Sequence, residues 1–267
     1  KRGKVLAVVQ AMAVIAPMAA PLLGAFILSF STWRSTFLVL AVIGAACLAA
    51  SLSMKETLRP AERSRGSLVM TLKKTLVIGK NRAFLKYLLM LSLFTTPYMA
   101  YISVCSYIYI DIFQLSDAMY SIFFAVNSAF AVFGPVLYVF FAGRTTRLRL
   151  NMVCLIAAFA SAGFLLTFGH AGPLAFLLAF LPFTVVESMI RPLGTEILLQ
   201  QQEGDTGAVS SLINFAMTVF GSAGMVAGAL PWPDFISGLG IVMEIFTILS
   251  AFFFIRSFSG RERVKGL

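Results

Sequence analysis

The 267-residue chain is 59% apolar and only 12% charged, with a mean hydropathy of +0.91, which excludes a soluble globular fold. A net charge of +10 would suit a nucleic-acid binder, but the basic residues sit in short loops between apolar runs, so no nucleic-acid partner is expected. With one histidine and three cysteines lacking a CxxC spacing there is no basis for a metal centre or a disulfide framework, and Cys47, Cys105 and Cys154 read as reduced packing residues.

Lys1, Arg2 and Lys4 precede an uncharged run over residues 5–30. At about 1.5 Å per helical residue it is long enough to cross a bilayer as a tilted or bent helix, and too long for the core of a signal peptide. Inside it lies Ala16-Pro17-Met18-Ala19-Ala20-Pro21-Leu22-Leu23-Gly24-Ala25. Pro17 and Pro21, four apart, remove two backbone donors and require a bend, while the alanines and Gly24 let a neighbouring backbone come close. After the turn Ser31-Thr32-Trp33-Arg34, a second span is expected over 36–54, with a small-residue face at Gly44, Ala45, Ala46, Ala49 and Ala50.

Residues 55–86 form the longest polar segment, with nine Lys and Arg against Glu56 and Glu62. Within it Leu68, Leu72 and Leu76 fit either a basic amphipathic helix on an anionic leaflet or a solvated linker. Six more spans are expected at 85–110, 118–141, 151–169, 174–199, 207–230 and 235–255, joined by short connections, which makes eight in an all-α polytopic membrane protein. If the first residues are inside, 19 of the 21 Lys and Arg fall on inner segments, leaving only Arg34 outside and Arg191 within a span. The expected topology is therefore multi-pass in a cytoplasmic membrane with both ends cytoplasmic.

No nucleophile–base–acid set and no glycine-rich phosphate loop is visible in the sequence, so an enzyme is not expected. The chemistry must rest on polar residues inside spans, which are costly there. Glu187 lies near the middle of its span and Arg191 four residues on, on the same face. Two readings stand: a proton or charged-substrate site, or a mutually neutralised pair that locks two helices. Gln10, Asn127 and Asn214 are polar positions on three other helices, suited to interhelical hydrogen bonds or ligand contacts. Glu244 suits an interhelical hydrogen bond. On the 85–110 span, Phe94, Tyr98 and Tyr101 recur on one face beside Pro97, as in a cavity wall for flat amphiphilic or cationic compounds. Tyr107 and Tyr109 suit an interfacial aromatic belt.

Three blocks together resemble the bicyclomycin/chloramphenicol-resistance subgroup of the drug:proton antiporters in the major facilitator superfamily. The first is APMAAPLLGA with Trp33-Arg34 and Lys55-Glu56-Thr57-Leu58. The second is Asn81-Arg82-Ala83-Phe84 through Tyr87, with Ala100-Tyr101 and Ile112-Phe113-Gln114-Leu115-Ser116. The third is Arg191-Pro192 followed by Thr206-Gly207-Ala208-Val209-Ser210-Ser211. The resemblance implies two six-helix bundles that rock around a central cavity, with this chain as helices five to twelve. It marks Ala16, Pro17, Pro21 and Gly24 as an antiporter-like motif, with Ala25 where a glycine is usual. Residues 1–54 would be the last two helices of one bundle, 55–84 a cytoplasmic linker, 85–256 the other bundle and 257–267 a tail. The implied partners are the lipid bilayer, a small-molecule substrate and four further helices of the same protein. The implied function is alternating-access efflux of small organic compounds or drugs, with a proton gradient as driving force and no cofactor. An exporter of one metabolite, such as an amino acid or sugar derivative, is the nearest alternative, and a non-transporting scaffold a more distant one. The loop of 142–150 carries Arg144, Arg147 and Arg149 and no acid, where the family has a charged repeat.

Overall fold

A computed structural model describes residues 23–24, 26–54, 78–79, 81–201, 206–258, 264 and 266–267. Hydrocarbon offers no water to an unpaired amide, so a spanning segment must satisfy its own backbone, and a helix does so within one segment. The described residues are correspondingly helical and contain no strand. Helix α1 runs Trp33–Ser53 and α2 Arg82–Ser106, the latter prolonged by a π-helical turn at Tyr107–Ile112. Then come α3 (Asp117–Phe130), α4 (Phe133–Phe141) and α5 (Arg147–Phe168), closed by a 3-10 turn at Gly169–Ala171. Helices α6 (Pro173–Leu199), α7 (Thr206–Gly228) and α8 (Phe235–Phe258) follow among the described residues.

With α3 and α4 taken as one span, seven described segments are long and apolar enough to cross a membrane. They match the second to eighth expected spans, with ends displaced by four residues or fewer. Most of the first expected span, with Gln10, Ala16, Pro17 and Pro21, lies outside the described residues, as does the basic segment 55–77. Gly24 is helical and half-buried.

Short polar residues start the helices where the sequence changes from loop to apolar run. Asn81 Oδ1 accepts from the amides of Ala83 and Phe84 at 3.1 and 3.2 Å. Ser116 and Thr146 cap α3 and α5 in the same way, accepting from Met119 and Arg149. Pro173 opens α6, where its missing N–H costs nothing.

The span expected over 118–141 is present but interrupted by a turn at Ala131 and Val132. Pro135 has no N–H to give the Ala131 carbonyl, so the i+4 ladder cannot continue. The chain tightens instead, with i+3 bonds from Ala131, Val132 and Gly134 to Ser128, Ala129 and Ala131 at 3.1–3.3 Å. The span is thus two half-helices meeting near its middle.

Helix α2 is central, packed on α7, α8 and α6, while α5 pairs with α6 and α8. The core between α2 and α6 holds Phe84, Tyr87, Met90, Leu91 and Phe94 against Phe176, Phe180, Phe183, Ile190 and Leu193, all fully buried. Helix α1 has no buried residue. Glycines let helices come closer than a side chain would allow. A Cβ at Gly224 would collide with the Thr96 carbonyl, bringing α7 against the backbone of α2. One at Gly134 would strike Ser188 and the backbone of Val185 and Met189, so α4 lies directly on α6. Gly134→Ala is expected to destabilise the protein by about 1–3 kcal/mol, the usual cost of overpacking, read as a lower denaturation midpoint in detergent. An unchanged midpoint would show that α4 slides freely on α6.

Candidate functional site

Helix α6 is 27 residues long, and Glu187 is 14 residues beyond Pro173, about 21 Å along the axis at 1.5 Å per residue. That places it at the middle of a bilayer-length segment. Arg191 Nε lies 2.8 Å from Glu187 Oε1 across one helical turn. The two side chains differ in access: Glu187 is 4% exposed and Arg191 43%. Although the atoms are close, neither Arg191 Nε nor Glu187 Oε1 forms an aligned hydrogen bond. The contact is therefore an ion pair whose N–H is not aimed at the oxygen, held by charge rather than by hydrogen-bond geometry.

Four of the other candidates surround this pair or the core beside it. Asn127, in the last turn of α3 before the break, is fully buried and accepts a 2.8 Å hydrogen bond from Thr184 Oγ1. Thr184 precedes Glu187 by three residues, so the break in the α3–α4 span brings an amide to the face of α6 that carries the carboxylate. Asn127 Nδ2 has no partner. Tyr98 is partly exposed and lies within electrostatic reach of both Glu187 and Arg191. Phe94 and Tyr101 are placed deeper. Phe94 stacks on Phe183 with centroids 5.8 Å apart, and Tyr101 stacks on Phe180 at 4.1 Å. Both are core residues in this conformation, with Tyr98 as the aromatic side chain open to a ligand. Asn214 is exposed on α7, and no hydrogen bond joins its side chain to the others.

The ends of the bundle hold two further polar clusters. At the end carrying Arg144, Arg147 and Arg149, Arg147 Nη2 donates to Glu196 Oε1 at 2.5 Å. Its Nη1 donates to Gln200 Oε1 at 2.9 Å and to the Gly266 carbonyl at 3.1 Å. The Tyr138 hydroxyl donates to the other Glu196 oxygen. The cluster ties the ends of α4, α5 and α6 to residue 266 and borders a cavity of about 540 Å³ lined also by Thr146, Leu150 and Leu267. Sequence reading passed over Glu196, because the acid is not in the loop but in the last turn of α6. The available signal was three loop arginines without an acid, and a lone glutamate at the same end of a neighbouring span.

At the opposite end, His170 Nε2 meets Asp234 Oδ2 at 2.6 Å, joining the turn after α5 to the turn before α8. Burial works to raise the Asp234 carboxyl, but Ser237, His170 and the Ile236 amide outweigh it and hold it below the ordinary carboxylate value. The Ser237 and Ile236 amides donate to it at 2.7 and 3.3 Å, capping α8.

Helices of bilayer length, a broken span at mid-depth and a half-buried ion pair beside the break define a polytopic membrane protein. The Major Facilitator Superfamily matches residues 1–225, and the chain belongs to that family. It is 28% identical over 225 residues to the uncharacterized MFS-type transporter YdgK of Bacillus subtilis, an alignment that takes in 82% of this chain and 56% of that protein. It is 26% identical over 156 residues to a bicyclomycin resistance protein homolog of Haemophilus influenzae, covering 56% of this chain and 39% of that one. The chain thus spans about half the length, or less, of these relatives.

Because the folded state lowers the Asp234 value, its contribution to stability is present above the unfolded carboxylate value of about 3.9 and is lost as pH falls through the folded value. Asp234→Asn is therefore expected to lower the thermal unfolding midpoint in detergent at pH 7. The gap to the parent should close as the pH is taken below the ordinary carboxylate range. A gap constant with pH would assign the loss to capping geometry instead of charge.

Proposed function

We propose that the chain forms the rear part of a proton-coupled exporter of small organic compounds, including drugs, acting by alternating access in the cytoplasmic membrane. The observation that carries the reading is the Glu187–Arg191 pair, a charge couple held at mid-membrane beside a helix break. The similarity to a bicyclomycin resistance protein homolog supports drugs as cargo. On this reading residues 85–256 are one six-helix bundle and α1 belongs to the other, in keeping with its lack of any buried residue. The motif Ala16, Pro17, Pro21 and Gly24 seals the first bundle against proton leak, and four further helices close the cavity. The Arg147 cluster is a cytoplasmic clamp, and the His170–Asp234 contact faces outside.

A proton carrier must gain and lose its charge in alternation. Glu187 satisfies this when its partner moves: Arg191 beside it favours the carboxylate, and parting from Arg191 in an apolar wall favours the proton. Glu187→Gln should then retain substrate binding and lose uphill efflux driven by a proton gradient. A variant that still drives uphill efflux overturns the assignment. Exchange of the two residues, Glu187→Arg with Arg191→Glu, should stay inactive while inserting in the membrane, whereas a purely structural pair would recover most transport.

The orientation has its own test. In a background lacking the three native cysteines, Ser116→Cys is expected to react with an impermeant thiol reagent in intact cells and Thr146→Cys to stay unlabelled. Labelling at 146 would invert the topology.

A further inference from the structure

The ion pair of α6 is not saturated. Arg191 spends only Nε on Glu187, and its side chain is 43% exposed. No described residue engages Nη1 or Nη2. That terminal edge of a guanidinium presents two parallel N–H donors, the geometry that receives a carboxylate in two-pronged fashion. Glu187 likewise meets only Arg191, and no hydrogen bond from another residue reaches its oxygens. Beside them the buried Asn127 Nδ2 is a donor without an acceptor. Buried polar groups left unpaired are costly, and a ligand that satisfies them gains what the protein lacks.

Charge fixes what that ligand is. The pair as it stands is neutral, so a cation near Glu187 is repelled by Arg191 and an anion near Arg191 by Glu187. Either one adds a net charge to a low-dielectric site. A molecule carrying both an ammonium and a carboxylate adds none: its acid takes the Nη edge while its amine takes the carboxylate of Glu187, aligned antiparallel to the pair. Coupling sets the same requirement. A proton on Glu187 removes the acceptor for an ammonium, so proton and amine exclude one another, as exchange demands. For a simple anion the sign is reversed, since a proton on Glu187 would strengthen its hold on Arg191. Tyr98, partly exposed next to both charges, offers an aromatic face for the rest of the molecule.

We propose that the Glu187–Arg191 pair, with Asn127 and Tyr98, is a subsite for zwitterionic amino-carboxylate compounds, the amine on Glu187 and the acid on the free edge of Arg191. This rests on the reading of Glu187 as the coupling carboxylate, and the test separates the two. Inverted membrane vesicles from cells expressing the complete gene product are given an acid interior. The collapse of the pH gradient is followed on adding phenylalanine, phenethylamine, 3-phenylpropionate or ethidium, each corrected for the response of Glu187→Gln vesicles. Phenylalanine should collapse the gradient at a concentration at least about tenfold below that needed for phenethylamine or 3-phenylpropionate, which share its body but carry one charge each. Arg191→Lys, which keeps the charge and loses the two-pronged edge, should lower the potency of phenylalanine relative to phenethylamine about tenfold. Equal potency of phenylalanine and phenethylamine overturns the subsite, as does a response to 3-phenylpropionate alone. Silence of all three beside a Glu187-dependent ethidium response overturns it while sparing the coupling role. Silence of all four removes both.

Discussion

A carboxylate at the middle of a bilayer-length helix survives only if something cancels its charge, and in this chain Arg191 does so from the next turn at 2.8 Å. The cost of an isolated charge in that position exceeds what the packing of several apolar side chains returns. The pair therefore constrains its surroundings. Glu187 is buried, and in the preceding turns of the same helix Phe183 and Phe180 stack on Phe94 and Tyr101 in the aromatic core. On the other side Arg191 and Tyr98 emerge, each partly exposed. Core and opening are consequences of the same electrostatic requirement.

The close helix contacts serve that arrangement. Lipid tails are as apolar as leucine, so nothing resembling the hydrophobic effect presses one helix on another, and contact depends on fit and on buried hydrogen bonds. Glycines supply the fit where α7 meets α2 and where α4 meets α6. Buried hydroxyls and amides supply the bonds: Tyr87 donates to Asn151 at 2.9 Å, Ser161 to the Ala179 carbonyl at 2.5 Å and Ser250 to the Met90 carbonyl at 2.8 Å. Each joins a different pair of helices within the bundle.

Much of this was legible in the sequence. Span positions follow from hydrophobic length alone, which is why seven described helices fall within a few residues of their expected places. The i, i+4 spacing of Glu187 and Arg191 fixed their meeting, because one helix contains both. What the sequence withheld were relations between helices. The burial of Phe94 and Tyr101 beside a partly exposed Tyr98 depends on how α2 is rotated against α6, and three aromatic residues on one helix cannot tell which neighbour will cover them. Glu196 went unread for the same reason, since its partner Arg147 is 49 residues away in sequence. The interruption at 131–132 was signalled by Gly134-Pro135 and outweighed by the unbroken hydropathy around it.

That interruption has a mechanical consequence. A continuous helix resists bending because any sharp angle must rupture backbone bonds in a medium that offers no replacement. Between Phe130 and Phe133 the i+4 ladder is already absent, its place taken by short i+3 bonds. The half carrying Gly134 is clasped to α6, while the half carrying Asn127 bonds to Thr184 of the same helix and packs Phe123 and Phe124 on Tyr109 and Tyr101 at the end of α2. The joint is therefore where the span can change its angle with no i+4 backbone bond to break, one limb staying on the helix that bears the charges and the other on the aromatic end of α2.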